Sequence, residues 1–198
     1  MRFRWCWPLA VVLLFLAAPV SAHPHVWVDV RCNVLIDGGT VKGLQVTWAL
    51  DDEFSQLIMA DNDPQGTGRL APSAIPGVKK GYFDNLKLYD YFTHLYQGKQ
   101  AVTIPAAQKF TAALLPSGKV QYEFYLPLNI KLASGTPFSL SFYDDSFYVD
   151  VEFEKKNPVT FTVTGNGQAT VAFRPDKSKA YYGGGVVPTF ALMTWTSP

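Results

Sequence analysis

The sequence predicts an α+β fold, an antiparallel β-rich single domain of sandwich-like form with a two-helix insertion. Three observations carry that reading. Apolar residues alternate with polar ones over the first folded stretch and recur in short β-branched and aromatic runs from Lys99 onward. Two segments between residues 51 and 98 carry a helical spacing instead. Strands, then helices, then strands again argue against a parallel βαβ plan.

Taken in order, the chain opens with a basic Met-Arg-Phe-Arg and an apolar run from Leu9 to Val20. That run has the length of a signal-peptide h-region and is short for a membrane span. Val20-Ser21-Ala22 supplies a small residue at the cleavage position, so residues 1–22 are read as a signal peptide. Residues 23–198 are read as one periplasmic domain. The cut removes Arg2 and Arg4 and takes the formal charge from +1 to −1. A charge so close to zero offers nucleic acid or an anionic membrane nothing to bind. Cys32 is the single cysteine after the cut, so no internal disulfide is available and the domain depends on its core.

His25-Val26-Trp27-Val28-Asp29-Val30 alternates, with the valines on one face and His25, Trp27 and Asp29 on the other. Asp37-Gly38-Gly39 signals a hairpin turn, after which Val41 to Leu50 resumes as a strand. This pairing predicts that the start of the first strand lies near Asp51-Asp52. The stretch "DDEFSQLIMAD" (51–61) places acids in a first helical turn and Phe54, Leu57 and Ile58 at helical spacing. The stretch "GVKKGYFDNLKLYDYFTHLYQG" (77–98) predicts a second helix closed by Gly98. The loop between them, "DNDPQGTGRL", resembles a degraded calcium loop: Pro64 intrudes, and Ala74 stands where a bidentate Glu belongs. Strands are expected at 101–104, 109–115, 119–126, 138–143, 147–154, 159–163 and 169–174. The glycine-hinged tail, about 181–198, is too short to cross a membrane and is expected to dock on the body or on a partner.

The chemistry concentrates at the start of the domain. Two of the three histidines, His23 and His25, directly follow the cleavage site. An N-terminal histidine offers its α-amine and ring Nδ1 to one transition metal, and imidazole suits zinc, copper and nickel. A planar amino-terminal copper motif is excluded, because Pro24 has no amide N–H to give up. Further ligands would come from His25, His94 and the carboxylates of Asp29, Asp51, Asp52, Asp144 and Asp145. Taken alone, His94 reads as a helix C-terminal residue, and "FYDDSFYVDV" as an Asp-Asp turn between core aromatics. No nucleophile elbow, zincin motif or phosphate loop occurs, so no enzymatic activity is expected.

"AHPHVWVD", "VTWALDDEFS", "DNDPQGTGRL", "NLKLYDYFTHL" and "SFYDDSFYVDV" resemble, in order, a family of bacterial periplasmic proteins labelled components of an uncharacterised ABC-type transport system, DUF1007. The resemblance covers nearly the whole domain. It implies partnership with an inner-membrane metal permease of nickel/cobalt type, through contact with that protein and not with lipid. Matched residue by residue, it puts His23 and His25 first, with Asp51, His94 and Asp144 at the other family positions. Ligand roles for these five are inferred from their chemistry. The expected function is a periplasmic divalent-metal-binding accessory protein, for zinc first and nickel, cobalt or copper as alternatives. Two rivals stand beside it: a docking or structural module of a transport complex, and a copper redox protein built on the N-terminal histidine. The sequence departs from the family pattern at the degraded loop and at Asp145, where a proline commonly follows the Tyr-Asp pair.

Overall fold

The computed structural model describes residues 25–133 and 136–197. The expected signal peptide and His23 lie outside the described residues. Strand β1 (Val26–Asp37) buries its valines, Cys32 and Ile36 on one face, as the alternation requires. It pairs antiparallel with β2 (Thr40–Leu50) across a two-residue turn. Gly38 and Gly39 hold φ of 53° and 74° there, the left-handed pair that a tight hairpin needs.

Six strands form the first sheet. Its main path runs β5 (Gln108–Leu114), β6 (Val120–Lys131), β2, β1 and β8 (Val149–Phe153), and β9 (Val159–Thr164) also pairs with β1. The second sheet, antiparallel throughout, runs β10 (Gln168–Pro175), β11 (Thr189–Thr196), β7 (Phe138–Phe142), β3 (Thr93–Gln97) and β4 (Gln100–Ala101). The core is continuous between the sheets, with Val30, Trp48 and Leu126 from the first and Leu95, Leu140 and Met193 from the second. One edge departs from the antiparallel plan: β8 and β9 run parallel to successive halves of β1. The chain crosses between the sheets from β7 to β8 and meets β1 travelling in the same direction.

The helical insertion is shorter than its spacing predicts. Helix α1 (Asp52–Asn62) begins where expected, capped by Asp51, whose Oδ1 accepts from Phe54 N at 2.7 Å. Its buried face is Ser55 and Ile58, while Leu57 is half exposed. Ser55 Oγ accepts from Val120 N at 2.8 Å and ties the helix to the start of β6. Helix α2 (Ile75–Tyr82) gives way to a 3-10 segment, Asp84–Phe92, and the chain then enters β3. The break is local. Asp90, Tyr91 and Phe92 all take positive φ, 51°, 52° and 54°, which no helix continues through. His94 is therefore on a strand and not at a helix terminus. In the loop before α2, Asp63 accepts from Thr67 N and Oγ and from Gly68 N. These backbone bonds hold its carboxyl below the usual range.

The C-terminal tail is structural. β11 lies between β10 and β7 and buries Phe190, Ala191, Met193 and Trp195. It docks on the body, as one of the two expected outcomes had it. Among the described residues no helix is long and apolar enough to cross a membrane.

Candidate metal site and the adjoining cleft

The start of β1 is fastened from both sides. Asp51 N donates to Trp27 O at 2.9 Å, and Trp27 N returns a bond to Asp51 Oδ2 at 2.7 Å. The expectation that the first strand opens beside Asp51 is met. On the other side, His25 N donates to Tyr148 O at 2.9 Å, and the two rings sit 4.7 Å apart. Tyr148 is in turn held by Asp144. The Asp144 Oδ2 accepts from Ser146 Oγ at 2.7 Å and from Tyr148 N and Val149 N at 3.1 Å each. Oδ1 accepts from Ser146 N at 3.0 Å. Asp144 is buried at 8% exposure, whereas its neighbour Asp145 is exposed. A carboxylate loaded with this many donors is the organiser of its turn.

His94 stands on the other side of the same turn. Its ring stacks on Tyr143 with centroids 3.5 Å apart and planes 6° apart. Nε2 lies 2.9 Å from the Tyr143 carbonyl, which can only accept, so Nε2 carries the proton. Burial lowers the His94 pKa, against the opposing pull of that carbonyl and of Asp145 and Asp90. Burial also raises the Tyr143 phenol well above its ordinary value.

The structure thus places His25, Asp51, Asp144 and His94 near the opening of β1, tied by hydrogen bonds to Tyr148, Trp27 and Tyr143 and by the chain between those residues. It does not gather their side chains into one ligand shell. Among the described residues no group of three or more His, Cys, Asp and Glu is arranged to hold a metal. The Asp51 and Asp144 oxygens accept from backbone N–H groups and position the strand. Cys32 is buried, and its thiol pKa is pushed far up by that burial, which removes it as a thiolate ligand at neutral pH.

Beneath this system lies a feature that sequence reasoning missed. A cleft of about 410 Å³ opens between the valines of β1, the aromatic end of the helical insertion and the turn at 144–149. Trp48, Phe54, Tyr82, Phe92 and Tyr122 form much of its wall, with Asp144 and Tyr148 on the turn side. Trp48 and Tyr122 are direct cross-strand partners on β2 and β6, 2% and 1% exposed. Neither the Trp48 indole N–H nor the Tyr122 hydroxyl has a hydrogen-bond partner among the described residues. Leaving such a group unpaired costs about 1–3 kcal/mol. The alternation of β2 and β6 predicts both residues inside, but no pattern in a sequence marks a polar tip left without a partner.

Fold and site together define a two-sheet α+β protein with an anchored N-terminal strand and an apolar cleft behind it. The family model described as "Protein of unknown function (DUF1007)" matches residues 8–183, and the chain belongs to that family. It is 44% identical over 139 residues to a Spirochaeta aurantia protein described as "Uncharacterized 15.5 kDa protein in trpE 3'region", covering 70% of this chain and 99% of that relative. A Haemophilus influenzae relative described as "Uncharacterized protein" is 27% identical over 152 residues, covering 75% of this chain and 71% of the relative.

Proposed function

We propose that this protein is a periplasmic metal-binding accessory protein that exchanges a divalent ion, zinc first, with an inner-membrane permease. The observation that carries this reading is the placement of His25. It is exposed at the residue just before β1, a strand whose opening is clamped by Asp51 on one side and by the Asp144 turn on the other. Cleavage after Ala22 would leave the amine and ring of His23 two residues from that fixed point. The amine and ring of His23 together with the anchored imidazole of His25 would form an open site that a carrier can unload one ligand at a time. In this reading Asp51 and Asp144 are positioning residues, and the reaction is ligand exchange without bond-making chemistry.

The test is calorimetric titration of zinc into secreted protein with a sequenced N-terminus. His23→Ala, His25→Ala and a form with one extra N-terminal residue serve as comparisons. One-to-one binding is expected, weakened at least tenfold by each change. Affinity should fall as pH drops through about 6.5, where free imidazole takes up a proton. Wild-type binding no tighter than roughly 0.1 mM, about 5.5 kcal/mol, sinks the metal reading. The exposed Leu88 and Tyr89 near the cleft would then favour a docking module. Tight copper binding with copper-dependent peroxide production would instead favour the redox alternative.

A further inference from the structure

Strand β8 pairs with β1, and among the described residues no strand pairs with its other edge. The bonding parity is fixed by Glu154 N, which donates to Val30 O at 3.0 Å. Backbone groups alternate in direction along a strand, so Asp150, Glu152 and Glu154 turn theirs to β1. Val151 and Phe153 turn their N–H and C=O groups the other way, to the open edge. Both residues line a groove of about 620 Å³ between β8 and the second sheet. Its far wall is the 181–188 loop, held in shape by Tyr181 N bonding to Val186 O and Val186 N to Tyr181 O, at 3.0 and 3.3 Å. An unpaired strand edge beside a preformed groove takes up an extended chain by strand addition.

The two faces of the edge set what that chain carries. Toward the core, Phe153 packs on Phe142 and Phe173 at the mouth between the sheets, where Phe173 and Val187 remain exposed. On the outer face Asp150 and Glu152 stand in succession, and Glu152 is the register partner of Asp29 on β1. Like charges side by side are destabilising. Among the described residues the one cation paired with any of these three acids is Lys119, 3.8 Å from Asp29. Burial lifts the Asp150 carboxyl above its ordinary value, and Glu152 adds to the rise. Lys155 lies past the end of the strand, next to Glu154, which Arg31 already holds at 3.0 Å. A second copy of β8 would bring the same acids against these, which disfavours self-pairing. We infer that the groove takes an extended segment of a partner protein, added to β8 as a further strand, in which basic and apolar residues alternate. Its Lys or Arg side chains lie beside Asp150 and Glu152, and its apolar ones enter the mouth at Phe153 and Phe173. This is independent of the metal reading, because no group that receives the segment is a candidate metal ligand.

The probe is the end-blocked hexapeptide acetyl-Lys-Val-Lys-Phe-Lys-Val-amide, followed by amide hydrogen exchange and NMR titration of the whole domain. In the free protein the Val151 and Phe153 amides should exchange rapidly, while those of Glu152 and Glu154 are protected. The peptide should bind saturably, one to one, and slow exchange at Val151 and Phe153 at least tenfold. An Asp150→Asn, Glu152→Gln double variant keeps the side-chain shapes, so its near-ultraviolet dichroism should stay native. It should bind the peptide at least tenfold more weakly at low salt. A peptide with Glu in place of each Lys should bind the wild type at least tenfold less tightly. N-methylation of every second peptide residue should abolish binding in one phase and spare it in the other, because a strand bonds its neighbour through alternate residues. Binding to the folded wild type no tighter than roughly 1 mM overturns the proposal, as does equal affinity of the two methylated phases. Unchanged affinity in the double variant, or for the Glu peptide, overturns the assignment of a basic segment. Slow exchange of Val151 and Phe153 in the free protein shows the edge already occupied and overturns the proposal too. Slowing that grows with protein concentration alone assigns the edge to a second copy, with the same consequence.

Discussion

At the scale of single residues, the two carboxylates of the candidate site do similar work by different means. Asp51 caps α1 and braces β1 with one side chain, joining an element to its neighbour. Asp144 folds back on its own turn and delivers Tyr148 to His25. His94 carries the pH dependence. Its folded pKa is lowered, first by desolvation, so the unfolded chain takes up a proton on this ring at a higher pH than the folded protein does. The stability that neutral His94 contributes is complete above about pH 6.5 and is lost as pH falls through the depressed folded value. Asp145 and Asp90 moderate the loss, and Lys179 adds to it. Urea unfolding at pH 7.5 and 5.5 should show wild type losing more stability over that window than His94→Gln. Equal losses would remove His94 from this role.

Elements are set by where the backbone must bend and what packs on the bend. The turn between β9 and β10 places Gly167 at φ +133°, a region other residues rarely enter. A Cβ there would lie 2.2 Å from the Trp195 ring on β11. Gly167→Ala therefore meets backbone strain and a core clash together, and is expected to cost about 2–3 kcal/mol. At roughly 2–4 °C per kcal/mol for a chain of this size, thermal unfolding should shift down by about 4–12 °C. A shift under 1 °C would mean that Trp195 is not held against the turn. The same reasoning explains the end of the helical insertion. A 3.6-residue pattern continues in the sequence to Gly98, but the left-handed run at 90–92 turns the chain, burying Tyr91 and Phe92, and releases Thr93–Gln97 to pair with β7. Leu88, Tyr91, Phe92 and Leu95 fit a helical stripe on paper. Only the partner strand decides that Leu95 belongs to a sheet.

For the whole molecule, the C-terminal strand holds the second sheet together. β11 bonds to β10 along eight residue pairs and to β7 along three. Ending the chain before Thr189 would strand β10 and uncover Leu140, Phe138 and the inner face of β1. The truncated protein is expected to be insoluble or to lose its near-ultraviolet dichroism and cooperative melting, whereas removing only Ser197 and Pro198 should leave melting unchanged. A soluble, cooperatively folding truncation would show that the tail is an appendage after all. That outcome would return it to a docking role toward a partner.

The sequence by itself determined the strand-rich class, the β1–β2 hairpin, the Asp51-capped helix and the nearness of Asp51 to the strand's opening. Each rests on a local rule: side-chain alternation, the φ freedom of Gly38-Gly39, and an acid before an amphipathic turn. The place of His25 at the opening of β1 was legible for the same reason, since it depends on neighbours along the chain. Tertiary structure decided the parallel edge at β8 and β9, the strand at His94, the placing of the tail inside a sheet, and the work of Asp51 and Asp144 in binding backbone N–H groups. It also decided the cleft, because the meeting of β1, the helical insertion and the turn at 144–149 arises from packing of distant segments. Local pattern sets which residues turn inward, but only the meeting of those segments sets whether their polar atoms find a partner.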